Sequence, residues 1–170
     1  DSAAYWVGFN LVKGIGSARM RALLDYFGNV QAAWNASTSE LEAAGLGSKL
    51  IEALKQVRSS DLLARTWETL QKESIDVLTW EDAQYPRRLK EIDQPPPVLY
   101  LRGALVEEDQ WCVAVVGTRR VTAYGRQVTE EIVSALVNAG LVIASGLARG
   151  IDAIAHQTAV NNGGRTLAVL

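Results

Sequence analysis

VVGTRRVTAYG, residues 115–125, follows the apolar run WCVAVV and precedes an amphipathic segment, so it lies where a strand hands over to a helix. Reading outward from it gives a strand at 111–116, a helix at about 125–139, a strand at 141–145, a helix at about 150–161 and a strand at 166–170. Each strand is a near-continuous apolar run and not an alternating one, the pattern expected when helices cover both faces of a parallel sheet. A right-handed βαβαβ unit follows, with its binding crevice beyond the C-terminal ends of the strands.

Two turns lead into that crevice, Gly117-Thr118-Arg119-Arg120 and Ser145-Gly146-Leu147-Ala148-Arg149-Gly150-Ile151-Asp152. Glycine lets backbone approach an anion closely, and the helix N-termini that follow add free N–H donors and a positive dipole end. The charge of −2 for the whole chain hides an uneven distribution. From Trp111 onward there are five arginines (119, 120, 126, 149, 165), no lysine and three acids (Glu130, Glu131, Asp152). Arginine near glycine turns suits forked recognition of phosphate.

Several chemistries are disfavoured by what the turns lack. The fingerprint G-x-G-x-x-G is missing after the first strand, no acidic residue ends the second strand, and G-x-x-x-x-G-K-[ST] is missing too, so no dinucleotide cofactor or ATP-hydrolysing P-loop is expected. His156, the sole histidine, stands one turn after Asp152 with Ser145 nearby, which raises a hydrolytic triad; without G-x-S-x-G the favoured reading is structural. Too few ligands are present to argue for a metal.

Residues 1–73 read as a small helical domain, with apolar positions recurring at three and four, as in Leu50, Ile51, Leu54 and Val57. Two turns, Gly14-Ile15-Gly16-Ser17 and Gly45-Leu46-Gly47-Ser48, echo one another, each offering a serine to cap the next helix. Two β-rich runs follow at 75–80 and 98–102, separated by a polar stretch ending in Pro95-Pro96-Pro97, which reads as a rigid, extended connection. Residues 74–170 are assigned to the sheet domain.

No apolar stretch approaches the ~18 residues of a membrane span and no leader is visible, so a cytoplasmic location is expected. Cys112, inside WCVAVV, is expected to be buried and inert. The chain begins at Asp1 and stops inside the run TLAVL, so it reads as a fragment with a truncated sheet.

The segments VAVVGTRRVTAYGRQV, VIASGLARGIDAIAHQTAV and GGRTLAVL, with YPRRLKEIDQPPPVLYLRG upstream, resemble the DprA (Smf) family of DNA-processing proteins over residues 85–170. The N-terminal helices are similar, with weaker motifs, to the SAM-like or helix-hairpin-helix domain that precedes the Rossmann-like domain in that family. The resemblance implies a non-enzymatic, homodimeric protein without cofactor that binds single-stranded DNA, loads RecA recombinase and protects incoming DNA in natural transformation. It carries phosphate contact onto Gly117, Thr118, Arg119, Ser145 and Gly146. Thr122, Tyr124 and Gly125 match the turn closing the pocket, and Gly150, Ile151, Asp152 and His156 match the second motif. Arg120 and Arg149 are added as secondary contacts.

Arginines and backbone donors without a base-reading helix predict binding of little sequence preference, with Tyr124 as a stacking ring or, equally, a buried ring with a bonded hydroxyl. A nucleotide-binding or nucleotide-hydrolysing Rossmann-like protein is the main alternative, and a partner-binding scaffold the third. Residues 1–80 carry eight basic side chains against nine acidic ones, which favours packing or partner binding over DNA contact there.

Overall fold

The computed structural model describes residues 2–170, which divide into two compact units, one ending at Ala104 and the other running from Leu105 to Leu170. The first holds helices α1 (Ser2–Asn10), α2 (Ser17–Phe27), α3 (Val30–Asn35), α4 (Thr38–Ala43), α5 (Ser48–Ser59) and α6 (Leu62–Lys72). Strand β1 (Asp76–Thr79), the short α7 (Arg87–Lys90) and strand β2 (Val98–Leu101) complete it. The three-and-four spacing does what it predicts: α5 buries Ile51, Leu54 and Val57 in a core with Trp6, Phe9, Leu23 and Leu41. Helices α1 and α3 approach so closely that a Cβ on Gly8 would collide with the Trp34 ring.

The repeated glycine turns work differently from expectation. Helices α2 and α5 begin at Ser17 and Ser48 themselves, with Gly16 and Gly47 in the capping position and no side-chain cap. Ser17 is instead buried, donating its hydroxyl to the Pro95 carbonyl at 2.6 Å. Serine capping does occur at Ser37, in a reciprocal box with Glu40 that fixes the start of α4.

Strands β1 and β2 pair antiparallel from Asp76↔Leu101 to Thr79↔Val98. They belong with the helices: Trp6 meets Trp80 edge-on at 5.6 Å between centroids, and Val98 is part of the helical core. The Trp80 indole and the Tyr85 hydroxyl both donate to the Pro96 carbonyl, at 3.0 and 2.8 Å. The three prolines are therefore built into the first unit, and the divide falls after Ala104 and not after residue 73.

The second unit opens with a 3-10 turn, Glu107–Trp111, and continues β3 (Cys112–Ala114), α8 (Ala123–Asn138), β4 (Val142–Ser145), α9 (Ile151–Asn161) and β5 (Thr166–Ala168). The strands are parallel in the order β3-β4-β5. This is the α/β Rossmann-like unit that the sequence predicts, with element boundaries within a few residues of expectation. One detail differs. Both crossovers step the same way across the sheet, so with the usual right hand the two helices share a face, and α8 and α9 do pack on each other. Val133, Ile143, Ala155 and Ala159 form the core between helices and sheet, with Val115 packed against them. Cys112 and Ala114, whose side chains alternate with Val113 along β3, are exposed; the thiol expected to be buried is not.

The entry to β5 is fastened by an ion pair. Arg165 donates through Nε and Nη2 to the two carboxylate oxygens of Asp109, at 2.6 and 2.8 Å, and Asp109 also accepts the Val106 N–H at 2.8 Å. Hydrogen bonding from Arg165, ahead of the smaller backbone and Coulombic contributions, holds the Asp109 carboxyl below its ordinary value. Arg165 thus serves the N-terminal end of a strand, the end away from the crevice.

Candidate nucleic-acid interface

In a parallel pair registered Ala114↔Ala144, the loops that follow β3 and β4 leave the sheet at one edge. They are locked to each other there. The Ile151 N–H donates to the Thr118 carbonyl at 3.1 Å, so the N-terminus of α9 is tied to the loop after β3. Glycine is required on both sides of this contact. A Cβ on Gly117 would stand 2.7 Å from Ile151 Cγ1, and one on Gly150 would collide with the Thr118 carbonyl oxygen. Gly150 also has φ +97°, a left-handed conformation that L side chains rarely adopt.

Within each loop the polar groups divide into those used and those free. Thr118 Oγ1 accepts the Arg120 N–H at 3.1 Å, shaping the first loop as a local turn. Thr122 caps α8 by accepting the Gly125 N–H at 3.0 Å. Among the described residues, the N–H groups of Thr118, Arg119, Gly146 and Leu147 donate to no acceptor in the chain. The guanidinium groups of Arg119, Arg120 and Arg149 are exposed and make no ion pair or hydrogen bond among the described residues. Donors of both kinds, main-chain and guanidinium, are therefore left unspent around one edge of the sheet.

Ser145 and Asp152 sit behind this surface. Ser145 is buried and donates its hydroxyl to the Val115 carbonyl at 2.6 Å, stitching β4 to the end of β3. Asp152 is 7% exposed, and its Oδ2 lies where a Cβ on Gly146 would come within 2.9 Å. Of the two residues assigned to DNA contact from sequence, the serine thus has its hydroxyl proton engaged by Val115 and the aspartate has its carboxylate buried beside Gly146. Nor is a Ser–His–Asp relay assembled: His156 Nδ1 pairs with Thr166 Oγ1 at 2.6 Å, and that hydroxyl donates to the Ile143 carbonyl at 2.8 Å. The imidazole therefore carries its proton on Nδ1. Arg126, on the first turns of α8, makes a loose pair with Glu130 at 3.8 Å.

Tyr124 is 76% exposed with no hydrogen bond to its hydroxyl, which leaves a bare ring and sets aside a buried one. Two further apolar side chains reach solvent at this edge and were not singled out from sequence: Val116 at 72% and Leu147 at 55% exposure. Leu147 carries φ +53°. A leucine gives no signal in sequence that it will take a conformation usual for glycine or asparagine. Among the described residues, no three His, Cys, Asp or Glu side chains gather so as to hold a metal ion, and no helix is long and apolar enough to cross a membrane.

A parallel sheet delivering two interlocked, glycine-bearing loops and free arginines to one edge defines a Rossmann-like unit with a donor-rich edge. The profile described as DNA recombination-mediator protein A matches residues 76–170, more than half of the chain, and the chain belongs to that family. It is similar to Protein Smf of Synechocystis, 40% identical over 98% of this chain and 43% of that one. DNA processing protein DprA of Bacillus subtilis is 36% identical over 64% of this chain and 37% of that one. The X-ray structure of DprA from Streptococcus pneumoniae superposes with a TM-score of 0.75 at 30% identity, covering 98% of this chain and 56% of that one. The chain spans about two-fifths of the length of these curated relatives.

Proposed function

We propose that the second unit holds the phosphodiester backbone of single-stranded DNA in the crevice between the loops after β3 and β4. The observation that carries this reading is the set of unspent donors: four main-chain N–H groups and three guanidinium groups, with the loops locked together by Ile151 and Thr118. Phosphate contacts of this kind position a strand without reading its sequence. A flexible single strand can lower successive phosphates into the crevice, and the bare Tyr124 ring offers a face for stacking. The names of the relatives, DNA processing proteins and a recombination mediator, support DNA as the polyanion. The wider reading is a cytoplasmic, homodimeric protein that loads RecA recombinase onto the bound strand and protects incoming DNA in natural transformation. In that role it acts by binding and not as an enzyme, a reading supported by the engagement of the Ser145 hydroxyl with Val115 and of the His156 imidazole with Thr166.

A competition titration tests it. Fluorescent oligo-dT at low salt should bind the chain and resist displacement by mononucleotide. Release by mononucleotide at modest concentration would turn the assignment toward a nucleotide-binding protein.

A further inference from the structure

Leu147 combines three properties seldom found together. It has a left-handed backbone, at φ +53°, which leucine avoids because its Cβ crowds the following carbonyl. Its side chain is 55% exposed and takes no part in the core formed by Val133, Ile143, Ala155 and Ala159. Its own N–H is one of the unspent donors at the crevice. A strained and solvated apolar residue gains nothing for the fold, and strain of this sort is retained where the surroundings over-determine it, often at a site of binding.

We infer that Leu147 is a wedge that parts two neighbouring bases of the strand held in the crevice, an inference that rests on the single-strand reading above. The geometry follows from where the residue lies. A phosphate taken by the Gly146 and Leu147 N–H groups has one nucleoside on either side of it along the strand. In this arrangement the exposed Leu147 side chain, carried by the same loop as those N–H groups, would enter the space between the two nucleosides. A branched aliphatic group offers no hydrogen bond to a base edge and contacts only base faces, so it separates a stack without selecting a sequence. Leucine is among the apolar side chains that proteins insert between base steps. The loop is held firmly enough to bear the load, because it closes on Thr118 through Gly150 and Ile151.

The test uses the chain itself and an oligo-dT carrying two adjacent 2-aminopurines, whose fluorescence rises when they unstack. Binding of the parent chain should raise the signal severalfold as the two dyes are parted. Leu147→Ala and Leu147→Gly should bind about tenfold more weakly and lose most of the rise, while Leu147→Met keeps it. Leu147→Gly should also melt at or above the parent temperature, since glycine accepts the positive φ, which shows that the loss is not one of folding. A full rise in both the Ala and Gly variants overturns the wedge. Binding by the parent with no rise overturns the wedge alone, whereas failure of the parent to bind any oligonucleotide overturns the single-strand reading along with it.

Discussion

The main-chain N–H of Ile151 reaches the carbonyl of Thr118 at 3.1 Å and joins two loops that are more than thirty residues apart in the chain. Everything that faces the crevice depends on that closure, and the glycines on either side of it leave no space for a larger residue. Gly150→Ala puts a methyl group into the Thr118 carbonyl and asks alanine for φ +97°. The expected cost is about 2–3 kcal/mol in unfolding free energy, together with loss of oligonucleotide binding even where the variant is folded. Chemical denaturation and anisotropy on the same preparation check both parts.

Arg119 has no partner to give up, so its removal should leave stability nearly unchanged. Arg119→Ala should weaken binding to all sequences alike and reduce the slope of log K against log salt by about 1, the signature of one lost phosphate contact. An unaltered slope would remove this residue from the interface.

Ser145→Ala separates support from contact. The Val115 carbonyl loses its donor in a buried setting, a loss of about 1–2 kcal/mol of stability. If Ser145 acts only by stitching the strands, affinity measured well below the melting temperature should change by less than about threefold, a small difference on the scale where 1.4 kcal/mol is tenfold.

The Asp109–Arg165 pair makes a prediction about acid. Arg165 lowers the folded-state value for Asp109, so its contribution is fully present above the ordinary carboxylate value of about 3.9 and disappears as pH falls through the lower, folded value. Because Arg165 is partly exposed, the pair is worth about 1 kcal/mol at most near neutrality. Asp109→Asn should therefore lower the melting temperature by a few degrees at pH 7, and the difference from the parent should shrink toward pH 2.

The position of the unit divide is open to test by dissection. A fragment ending at residue 73 lacks β1 and β2 and uncovers the helical surface that packs with Ile75, Val77, Trp80 and Val98. A fragment ending at Ala104 should unfold cooperatively, and the shorter one should be less stable and bind a hydrophobic dye. Equal stability of the two would return the boundary to residue 73.

The alternation of strand and helix from 111 onward is legible in sequence because near-continuous apolar runs and glycine turns are local signals. The same holds for the two loops, whose glycines and arginines announce a close backbone and a polyanion. What sequence does not carry is which side of a loop each group faces. Ser145 and Asp152 have the same residue types whether they meet a ligand or a neighbouring strand, and the hydrogen bond from the serine to Val115 is visible only in the fold. Cys112 reads as buried because its neighbours are apolar, yet its face is decided by the strand order, a long-range property. The boundary at residue 73 follows a change of local pattern, whereas the structure groups β1 and β2 by what Trp6 and Ser17 touch far along the chain. Leu147 has no local mark at all, since its backbone is imposed by the closure around it.

Four of the seven donor groups named at this edge are peptide N–H groups, and no side-chain replacement short of proline deletes one. Alanine scanning of the arginines should consequently reach a floor of residual anion capture that persists until the loops themselves are pried open. The durable part of this grip is thus written in conformation, and an inhibitor that displaced Ile151 from Thr118 would disarm the site more thoroughly than one that merely neutralised its charge.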